Sequence, residues 1–549
     1  MGASRSKSVD LPTFHGSESQ ENELSGDKQR HKGSLKEKHE PVFEKEVCLA
    51  SEMQDNEMRE IEINNHKLLL IKANGEFSTI GHLCTHYGSQ LVNGVLSRGR
   101  VRCPRHGACF NIKTGDIEEF PCVDGLQCYK TEVQDGKVII FTTTSALDIN
   151  KRTQNMVTRS LVNKDVILLI GGGPASLICA ETLRQEGYRG RIIIATKEMH
   201  LPYDRPKLSK TLDIDIEHIL LRKPEFYSTY GIEVLINKEA TSVNTKKRKV
   251  SFKDGTSQRY DNLLLATGSI PRMLSCLGAD LENICLLRSF DDAIRINKLA
   301  TAKDIVIVGS SFIGMEIAAY LVEKASSVSV VGNSEVFELE DVKFYMSDHV
   351  IELRGEDGLV KDVVLASGKV LPADLCVVGI GVRPATHYLH GSPIKTDPKG
   401  TIIVDEYMQT NVERIYAAGD ITSFPLPLCS NENVSISHWQ IAHKQGYIAA
   451  LNMQKKKIAI DTVPFFWTFF FGKSLRYAGY GAGFEEVIIQ GNKDELKFVA
   501  FYIKEDKVVA VASLNYDPVV AQVAEVLASG KTISKLEAQD KQMPWLQYI

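Results

Sequence analysis

Short apolar stretches that alternate with polar residues dominate residues 42–144. Examples are KLLLIK, FSTIG and KVIIFTT, and the last is joined to LQCYKTEV through Asp135-Gly136, a dipeptide typical of hairpin turns. After a polar linker the pattern changes to an apolar strand, a glycine turn and an amphipathic helix. This second pattern occurs twice, starting at residues 166 and 304. The hydrophobic pattern therefore predicts an all-β domain followed by two doubly wound α/β domains.

The chain of 549 residues is long enough to bury several hydrophobic cores. Its first residues are rich in Ser, Glu and Lys and contain almost no aliphatic residues, so they cannot offset the entropy of ordering. The changes of pattern predict these segments: a disordered tail at 1–41, the all-β domain at 42–144, a linker at 145–163, a first nucleotide-binding domain at 164–300 and 412–460, a second one at 301–411, and a C-terminal α+β domain at 461–549.

Charge and cysteine content restrict the partners and the compartment. The formal net charge is −4, and the chain has no basic stripe interleaved with aromatic residues, so nucleic acid is not an expected partner. The 11 cysteines are scattered and odd in number, and no secretory leader precedes them. We therefore expect a reducing, intracellular location.

The tail begins MGASRS, which matches the short pattern for N-myristoylation of Gly2. A lipid there would bring the chain to a membrane surface. The alternative is a chance match in a flexible tail, and the sequence leaves both interpretations open. No run of eighteen apolar residues, long enough to cross a bilayer, is present in the sequence.

Two cysteines and two histidines form a crossed pattern in the all-β domain. CTHYG contains Cys84 and His86, and CPRHGACF contains Cys103 and His106. A zinc finger usually pairs Cys with Cys and His with His, whereas here each loop offers one of each. If two thiolates hold one iron and two imidazoles the other, the pattern fits a [2Fe–2S] centre of mixed ligation. A zinc site remains the alternative.

Both loops resemble the cluster loops of Rieske [2Fe–2S] domains of the ferredoxin type. This resemblance implies that Cys84, His86, Cys103 and His106 are the ligands. The glycines at 88 and 107 would let each loop fold tightly around the cluster.

IGGGPAS places Gly171, Gly173 and Ser176 in a Gly-x-Gly-x-x-small frame between an apolar strand and a helix. Backbone amides at such a helix N-terminus hold a pyrophosphate. The frame is accompanied by LPYDRPKLSK at 201–210, LLLATGS at 263–269 and IYAAGDI at 415–421.

These stretches resemble the two-dinucleotide flavoprotein reductases, in the apoptosis-inducing-factor and ferredoxin-reductase branch, along 164–549. The resemblance implies FAD bound by its first nucleotide domain, with Asp420 at the ribitol, Arg205 and Lys210 against the flavin, and Trp439 and Trp467 near its ring. Lys197 falls where the family often has Glu, which leaves Glu198 as the substitute. The remaining residues implied at the FAD site are Thr267, Gly268 and Gly419.

The second glycine turn, GSSFIG, departs from the family pattern. Gly309 and Gly314 are present, but Ser311 replaces the middle glycine, where a β-carbon would crowd the phosphates. Where a ribose-binding acid is expected after the strand VSVV, Gly332, Asn333 and Ser334 follow. Only residues 332–341 separate this strand from VKFYM, too few for the usual helical crossover. The resemblance still implies NAD(P)H at this unit, with Gly309, Gly314 and Glu316 as contacts.

A Rieske domain ahead of such a reductase resembles the Rieske-bearing branch of the apoptosis-inducing-factor family. The resemblance implies an oxidoreductase that passes electrons from NAD(P)H through FAD to the cluster and on to an unknown acceptor, with a role in cell death, in the cytoplasm or the mitochondrion. The alternative is a redox-sensing or signalling flavoprotein with impaired NAD(P)H turnover. A zinc-binding adaptor is the third, weaker interpretation.

Overall fold

The computed structural model describes residues 40–333 and 341–549. Most of the predicted tail, the Gly2 pattern and most of the shortened stretch at 332–341 lie outside these residues. Val42–Ile549 forms one compact unit. In the part of the chain that the structure describes, no helix is long and apolar enough to cross a membrane.

The first region is built from antiparallel strands in two sheets. The larger sheet has the order β1-β10-β9-β4-β3-β2, and the smaller one has the order β5-β6-β7-β8. The elements are β1 (Phe43–Leu49), β2 (Glu57–Ile63), β3 (His66–Ala73), β4 (Glu76–Gly81), β5 (Val95–Ser97), β6 (Arg100–Arg102), β7 (Cys109–Asn111), β8 (Ile117–Glu119), β9 (Cys128–Gln134), β10 (Lys137–Thr142) and the short helix α1 (Thr144–Leu147).

The next region contains a parallel sheet with the order β13-β12-β11-β17-β29, as its near-continuous apolar strands favour. Its first elements are β11 (Val166–Ile170), α2 (Pro174–Gln185), β12 (Arg191–Ala195), α3 (Pro224–Thr229), β13 (Ile232–Leu235), β14 (Ala240–Asn244), β15 (Lys249–Phe252), β16 (Ser257–Arg259), β17 (Asn262–Leu265) and β18 (Ser269–Pro271). The chain later returns through β28 (Ile402–Ile403), β29 (Ile415–Ala417), β30 (Thr422–Leu426), β31 (Glu432–Val434) and α6 (Trp439–Met453).

A second parallel sheet, with the order β19-β26-β20-β21-β22, is inserted between these two halves. Its region contains β19 (Ile284–Leu286), α4 (Phe290–Ala300), β20 (Asp304–Val308), α5 (Phe312–Leu321), β21 (Ser327–Gly332), β22 (Lys343–Met346), β23 (Val350–Glu356), β24 (Leu359–Leu365), β25 (Val370–Pro372), β26 (Leu375–Val378) and β27 (Val382–Pro384). β21 and β22 pair in parallel although only residues 333–342 connect them.

The chain ends in an antiparallel sheet with the order β32-β33-β36-β35-β34, against which α7 packs. The elements are β32 (Phe465–Phe470), β33 (Lys473–Gly479), β34 (Glu486–Asn492), β35 (Lys497–Lys504), β36 (Lys507–Leu514), α7 (Val519–Ala528) and α8 (Lys535–Gln539). The fold class predicted from sequence, an all-β domain, two doubly wound domains and a C-terminal α+β region, is confirmed.

Candidate functional site

The two Cys/His loops close in the same way. In the loop between β4 and β5, the Cys84 amide donates to the Ser89 carbonyl and the Gly88 amide donates to the Cys84 carbonyl, at 2.8 and 2.9 Å. In the loop between β6 and β7, Cys103 and Gly107 repeat both bonds, the first of them to the Ala108 carbonyl. Gly88 and Gly107 have φ of 71° and 75°, values that favour glycine. Each turn therefore presents one thiol and one imidazole in equivalent positions.

The four side chains meet as two pairs. The Nδ1 atoms of His86 and His106 lie 3.0 Å apart, and Cys84 and Cys103 are buried next to each other. Within residues 40–333 and 341–549, no three potential ligands converge as they would on one metal ion. Two donors for each of two irons is the arrangement that a mixed-ligand [2Fe–2S] cluster requires, so the donor set fits that cluster.

The protonation states of the two imidazoles and of the Cys103 thiol are compatible with binding iron. Burial lowers the pKa of His86 to about 3 and that of His106 well below its usual value, so both imidazoles are neutral at pH 7 and can donate a lone pair. A hydrogen bond with Cys84 and burial raise the pKa of Cys103. The thiol will therefore lose its proton only when a metal binds.

Trp467 on β32 connects the histidine pair to a large cleft. Its ring centroid lies 4.9 Å from that of His106 and 5.8 Å from that of His86. The same side chain is 6% exposed and lines the cleft at the carboxyl ends of the first parallel sheet. The predicted cluster ligands thus lie beside the predicted flavin site.

A buried ionic cluster fastens the smaller β-sheet to helix α7. Glu525 is 1% exposed and accepts hydrogen bonds from Arg102 Nε at 2.6 Å, Arg98 Nη2 at 2.9 Å and Arg100 Nη2 at 3.1 Å. Burial alone would raise the pKa of Glu525, but the arginines lower it from 4.5 to about 2. Because the folded pKa is depressed, the stabilisation is present above about pH 4.5 and is lost as the pH falls towards 2.

Two further contacts fix the β-domain on the first nucleotide region. Glu119 on β8 accepts hydrogen bonds from Lys444 Nζ at 2.9 Å and Gln440 Nε2 at 3.3 Å, both on α6. Arg222 donates to Asp124 Oδ2 at 3.0 Å and to both oxygens of Glu181 at 2.9 Å. All these groups are buried, so removal of one partner would leave an uncompensated charge.

In the first glycine turn, Gly171 is required by the packing of the protein itself, whereas Gly173 leaves space that a ligand could occupy. Gly171 has φ of 120°, and a β-carbon there would lie 2.1 Å from the Ala266 carbonyl oxygen. At Gly173, which precedes α2 and has an ordinary φ of −95°, a β-carbon would meet nothing within 4 Å. The open space at the N-terminus of α2 fits a dinucleotide pyrophosphate.

Several predicted FAD residues line the cleft. Asp420 accepts hydrogen bonds from Ser269 Oγ at 2.7 Å and Arg288 Nη2 at 3.2 Å. Glu198 accepts from Arg205 Nη2 and the Tyr203 hydroxyl, both at 2.6 Å, and retains acceptor capacity for a ribose. Although burial opposes it, Arg205 keeps the pKa of Glu198 below its usual value. The other predicted residues on the cleft wall are Gly171, Gly173, Lys210, Thr267, Gly268, Gly419, Trp439 and Trp467, and Lys197 lies there beside Glu198.

Lys210 and Glu316 form an ion pair across the cleft. Lys210 Nζ donates to Glu316 Oε1 at 2.9 Å, Thr468 Oγ1 donates to the same oxygen at 2.5 Å, and Ser209 donates to Oε2. Glu316, implied as an NAD(P) contact, therefore joins three regions of the chain at the cleft. Ser176, implied at the FAD site, is fully buried within α2 and lies behind the cleft wall.

The second glycine turn keeps its shape. Gly309 has φ of 110°, and a β-carbon at Gly314 would lie 2.1 Å from the Gly309 carbonyl oxygen. Ser311 donates from Oγ to the Gly379 carbonyl at 3.2 Å. At Gly332, where the ribose-binding acid is absent, a β-carbon would lie 2.4 Å from Ser310 Oγ. An acidic side chain at that position would therefore need a neighbouring residue to move.

Sequence reasoning missed several residues that complete the site. Ser269 and Arg288 hold Asp420, Tyr87 stacks on His86, and Glu525 binds three arginines. Ser269 and Tyr87 lie in stretches singled out from the sequence, LLLATGS and CTHYG, and their places next to ATG and next to His86 were the available signals. Arg288 and Glu525 meet their partners through contacts between distant parts of the chain.

Comparison with known proteins agrees with this geometry. Family models match residues 44–130 as a Rieske [2Fe–2S] domain, 165–446 as a pyridine nucleotide-disulphide oxidoreductase and 465–548 as a reductase C-terminal region. The chain is 51% identical to human apoptosis-inducing factor 3 over 515 residues, 90% of this chain and 85% of that protein. The chain belongs to the apoptosis-inducing factor 3 family.

More distant relatives of this family member cover the reductase part. Rhodocoxin reductase from Rhodococcus erythropolis is 30% identical over 68% of this chain and 92% of its own. A ferredoxin reductase structure from Rhodopseudomonas palustris covers 70% of this chain and 99% of its own, with 30% identity and a TM-score of 0.66. The covalent putidaredoxin reductase–putidaredoxin complex matches with 26% identity over 70% of this chain and 98% of its own, and a TM-score of 0.65.

Membership of the apoptosis-inducing factor 3 family fixes the class of chemistry. The chain is an NAD(P)H-dependent oxidoreductase with FAD and a Rieske [2Fe–2S] cluster as cofactors. The residue assignments at these sites, and the domain boundaries given above, stay predictions.

Proposed function

We propose that this chain passes electrons from NAD(P)H through FAD to its own [2Fe–2S] cluster, and from there to an external one-electron acceptor. When bound, FAD accepts a hydride from NAD(P)H and releases electrons singly, as the one-electron cluster requires. The observation that supports this proposal most strongly is the position of Trp467, which touches both ligand histidines and lines the flavin cleft.

The contacts around Trp467 support transfer within one molecule. Electron tunnelling falls steeply with distance, and packed atoms conduct better than gaps. Phe465, on the same strand, closes against the second ligand loop so tightly that a β-carbon at Gly107 would lie 2.5 Å from its ring. His438 fills the remaining corner, with its ring centroid 4.9 Å from that of Trp467. Packed side chains therefore fill the space between the cleft and the two histidines.

Replacing Trp467 by leucine should slow electron transfer from the reduced flavin to the cluster by about tenfold or more, because the reacting groups lose their packed contact. Trp467→Phe should restore most of the rate. The measurement is pulse radiolysis of the loaded protein, with the cluster absorbance followed after the flavin is reduced. Trp439→Leu is the matched control, since Trp439 lines the same cleft but contacts His443 instead of the ligand histidines. Equal effects of the two leucine variants would contradict the proposed route.

A second candidate function is a redox-sensing or signalling flavoprotein that receives few electrons from NAD(P)H. Three observations favour it: the ten-residue connection at 333–342, the crowded Gly332, and Ser311 in place of glycine. All three lie where the adenosine half of NAD(P)H would bind in a doubly wound domain.

We expect NADH to reduce the flavin slowly and only at high concentration. Lost hydrogen bonds to the ribose alone cost about 1–3 kcal/mol, or roughly tenfold to hundredfold in affinity. Stopped-flow absorbance measures this directly, and dithionite-reduced protein is the control for the later steps. Gly332→Glu should help little, since its side chain meets Ser310. Rapid bleaching at micromolar NADH would favour the plain reductase over the redox sensor.

The proposal has three further parts. The protein takes part in cell death, it lies in the cytoplasm or the mitochondrion, and a myristoylated Gly2 brings it to a membrane. The name of the human and mouse relatives, apoptosis-inducing factor 3, and the family resemblance support the first two. What supports the third is the MGASRS pattern.

A further inference from the structure

We propose that electrons leave the cluster at Tyr87, and that the surface formed by Tyr87, Lys151 and Lys207 docks an acidic one-electron carrier protein. We call these three residues the Tyr87 surface. The inference rests on the proposed function and adds the exit and the class of partner.

The face of the Rieske domain that contains the histidines is not free for an external partner. Trp467 packs against both rings, and Phe465 packs against the second loop. His86 Nε2 is shielded from solvent and has no hydrogen-bond partner in the described residues. Because Glu525 and Arg222 hold the domain in place, a carrier must approach the cluster from another side.

Tyr87 extends from a cluster ligand to solvent. Its ring stacks on that of His86 with centroids 3.7 Å apart and planes at 19°, and the residue is 42% exposed. Its hydroxyl donates to Asp204 Oδ2 at 2.6 Å, which fixes the ring. The stacked ring therefore provides a short, packed route from the His86 side of the cluster to the surface.

The cationic groups around Tyr87 are Lys207, which is half-buried, and Lys151. Lys207 Nζ lies 5.4 Å from the centroid of the Tyr87 ring and 3.9 Å from Asp204 Oδ2, so Lys207 compensates that carboxylate. Lys151 is exposed, its charge acts on both His86 and Asp204, and it forms no ion pair with any described residue. The facing carboxylate, Asp204, is buried under Tyr87, and Glu316 is neutralised by Lys210. A patch of this sign attracts an acidic surface and repels a basic one.

The transfer of the electron from cluster to carrier makes and breaks no bonds and moves no proton. One electron moves from the reduced cluster to an oxidised metal centre in the carrier, which is reduced by one electron. Each NAD(P)H supplies two electrons, so two carriers are reduced for each hydride received.

Binding tests the surface without turnover. The loaded, oxidised protein is titrated calorimetrically with oxidised cytochrome b5, an acidic haem protein, and with cytochrome c, a basic one. We expect cytochrome b5 alone to bind at low ionic strength, and the double variant Lys151→Gln/Lys207→Gln to weaken it about tenfold or more. Arg105→Gln, which removes an exposed charge from the other ligand loop, is the control. Equal loss with Arg105→Gln, preference for cytochrome c, or binding of neither protein would overturn the docking surface.

Rates test the exit and do not depend on NADH. The protein is given one electron per chain by dithionite, and loss of the cluster's EPR signal is followed by rapid freezing after mixing with hexacyanoferrate(III) or tris(phenanthroline)cobalt(III), oxidants of charge −3 and +3. The lysine double variant should slow oxidation by the anion about tenfold and speed oxidation by the cation. Tyr87→Leu should slow both, whereas Tyr87→Phe, which keeps the ring, should slow neither. If Tyr87→Leu leaves both rates unchanged while its EPR spectrum is intact, the exit lies elsewhere, whatever the fate of the flavin-to-cluster step.

Discussion

Gly173→Val will give a folded protein without bound flavin. At this position a β-carbon meets no atom of the protein within 4 Å, and φ of −95° is open to valine, so the fold has no reason to resist the change. The new side chain occupies the space at the N-terminus of α2 that the pyrophosphate needs. We expect loss of essentially all FAD and a thermal unfolding temperature close to that of wild-type protein stripped of FAD, measured by absorbance and circular dichroism.

Gly171→Val is the contrasting variant. There the β-carbon would lie 2.1 Å from the Ala266 carbonyl oxygen and φ is 120°, so both FAD and stability should be lost. A Gly173→Val protein that retains normal FAD content would show that the pyrophosphate lies elsewhere.

Cys103→Ser will abolish the rhombic EPR signal of the reduced cluster and leave FAD bound. Cys103 is completely buried beside Cys84 at the meeting point of the two loops, and a serine oxygen is a poor replacement for a thiolate ligand of iron. The measurement is EPR of the dithionite-reduced protein together with iron and flavin analysis.

Cys122→Ser is the matched control for this prediction. Cys122 is also buried, and its Sγ lies 3.9 Å from Cys84 Sγ, yet it belongs to neither loop. We expect its signal to persist. If purified wild-type protein holds zinc without iron, the cluster assignment is wrong and the zinc interpretation stands.

Local spacing made the shapes of the two Cys/His loops and of the two glycine turns predictable from the sequence. The two Cys/His loops close through hydrogen bonds between residues four or five apart, as between Cys103 and both Gly107 and Ala108, so six consecutive residues already encode the shape. Gly171 and Gly309 likewise have the positive φ values that the turn between each strand and its helix requires. Such short-range requirements can be recognised directly from which residues follow one another in the sequence.

Long-range packing left no such trace. Arg102 and Glu525 are 423 residues apart, and neither stands in a motif. The contact between His106 and Trp467 depends on how the Rieske domain docks, which the composition of neither segment reveals. The shortened stretch in the second nucleotide domain was visible, but the parallel pairing of β21 and β22 across it was not, because pairing is decided by the neighbouring strands.

The fixed position of the Rieske domain has a kinetic consequence. In the covalent putidaredoxin reductase–putidaredoxin complex, the reductase is joined to a second protein. When two proteins meet as separate molecules, the rate of their encounter depends on concentration. Here Arg222, bound to Asp124 and Glu181, joins the Rieske domain to the first nucleotide region within one chain. If electrons pass from FAD to this cluster as we propose, the effective concentration of the acceptor is constant, and the transfer is first order and independent of dilution.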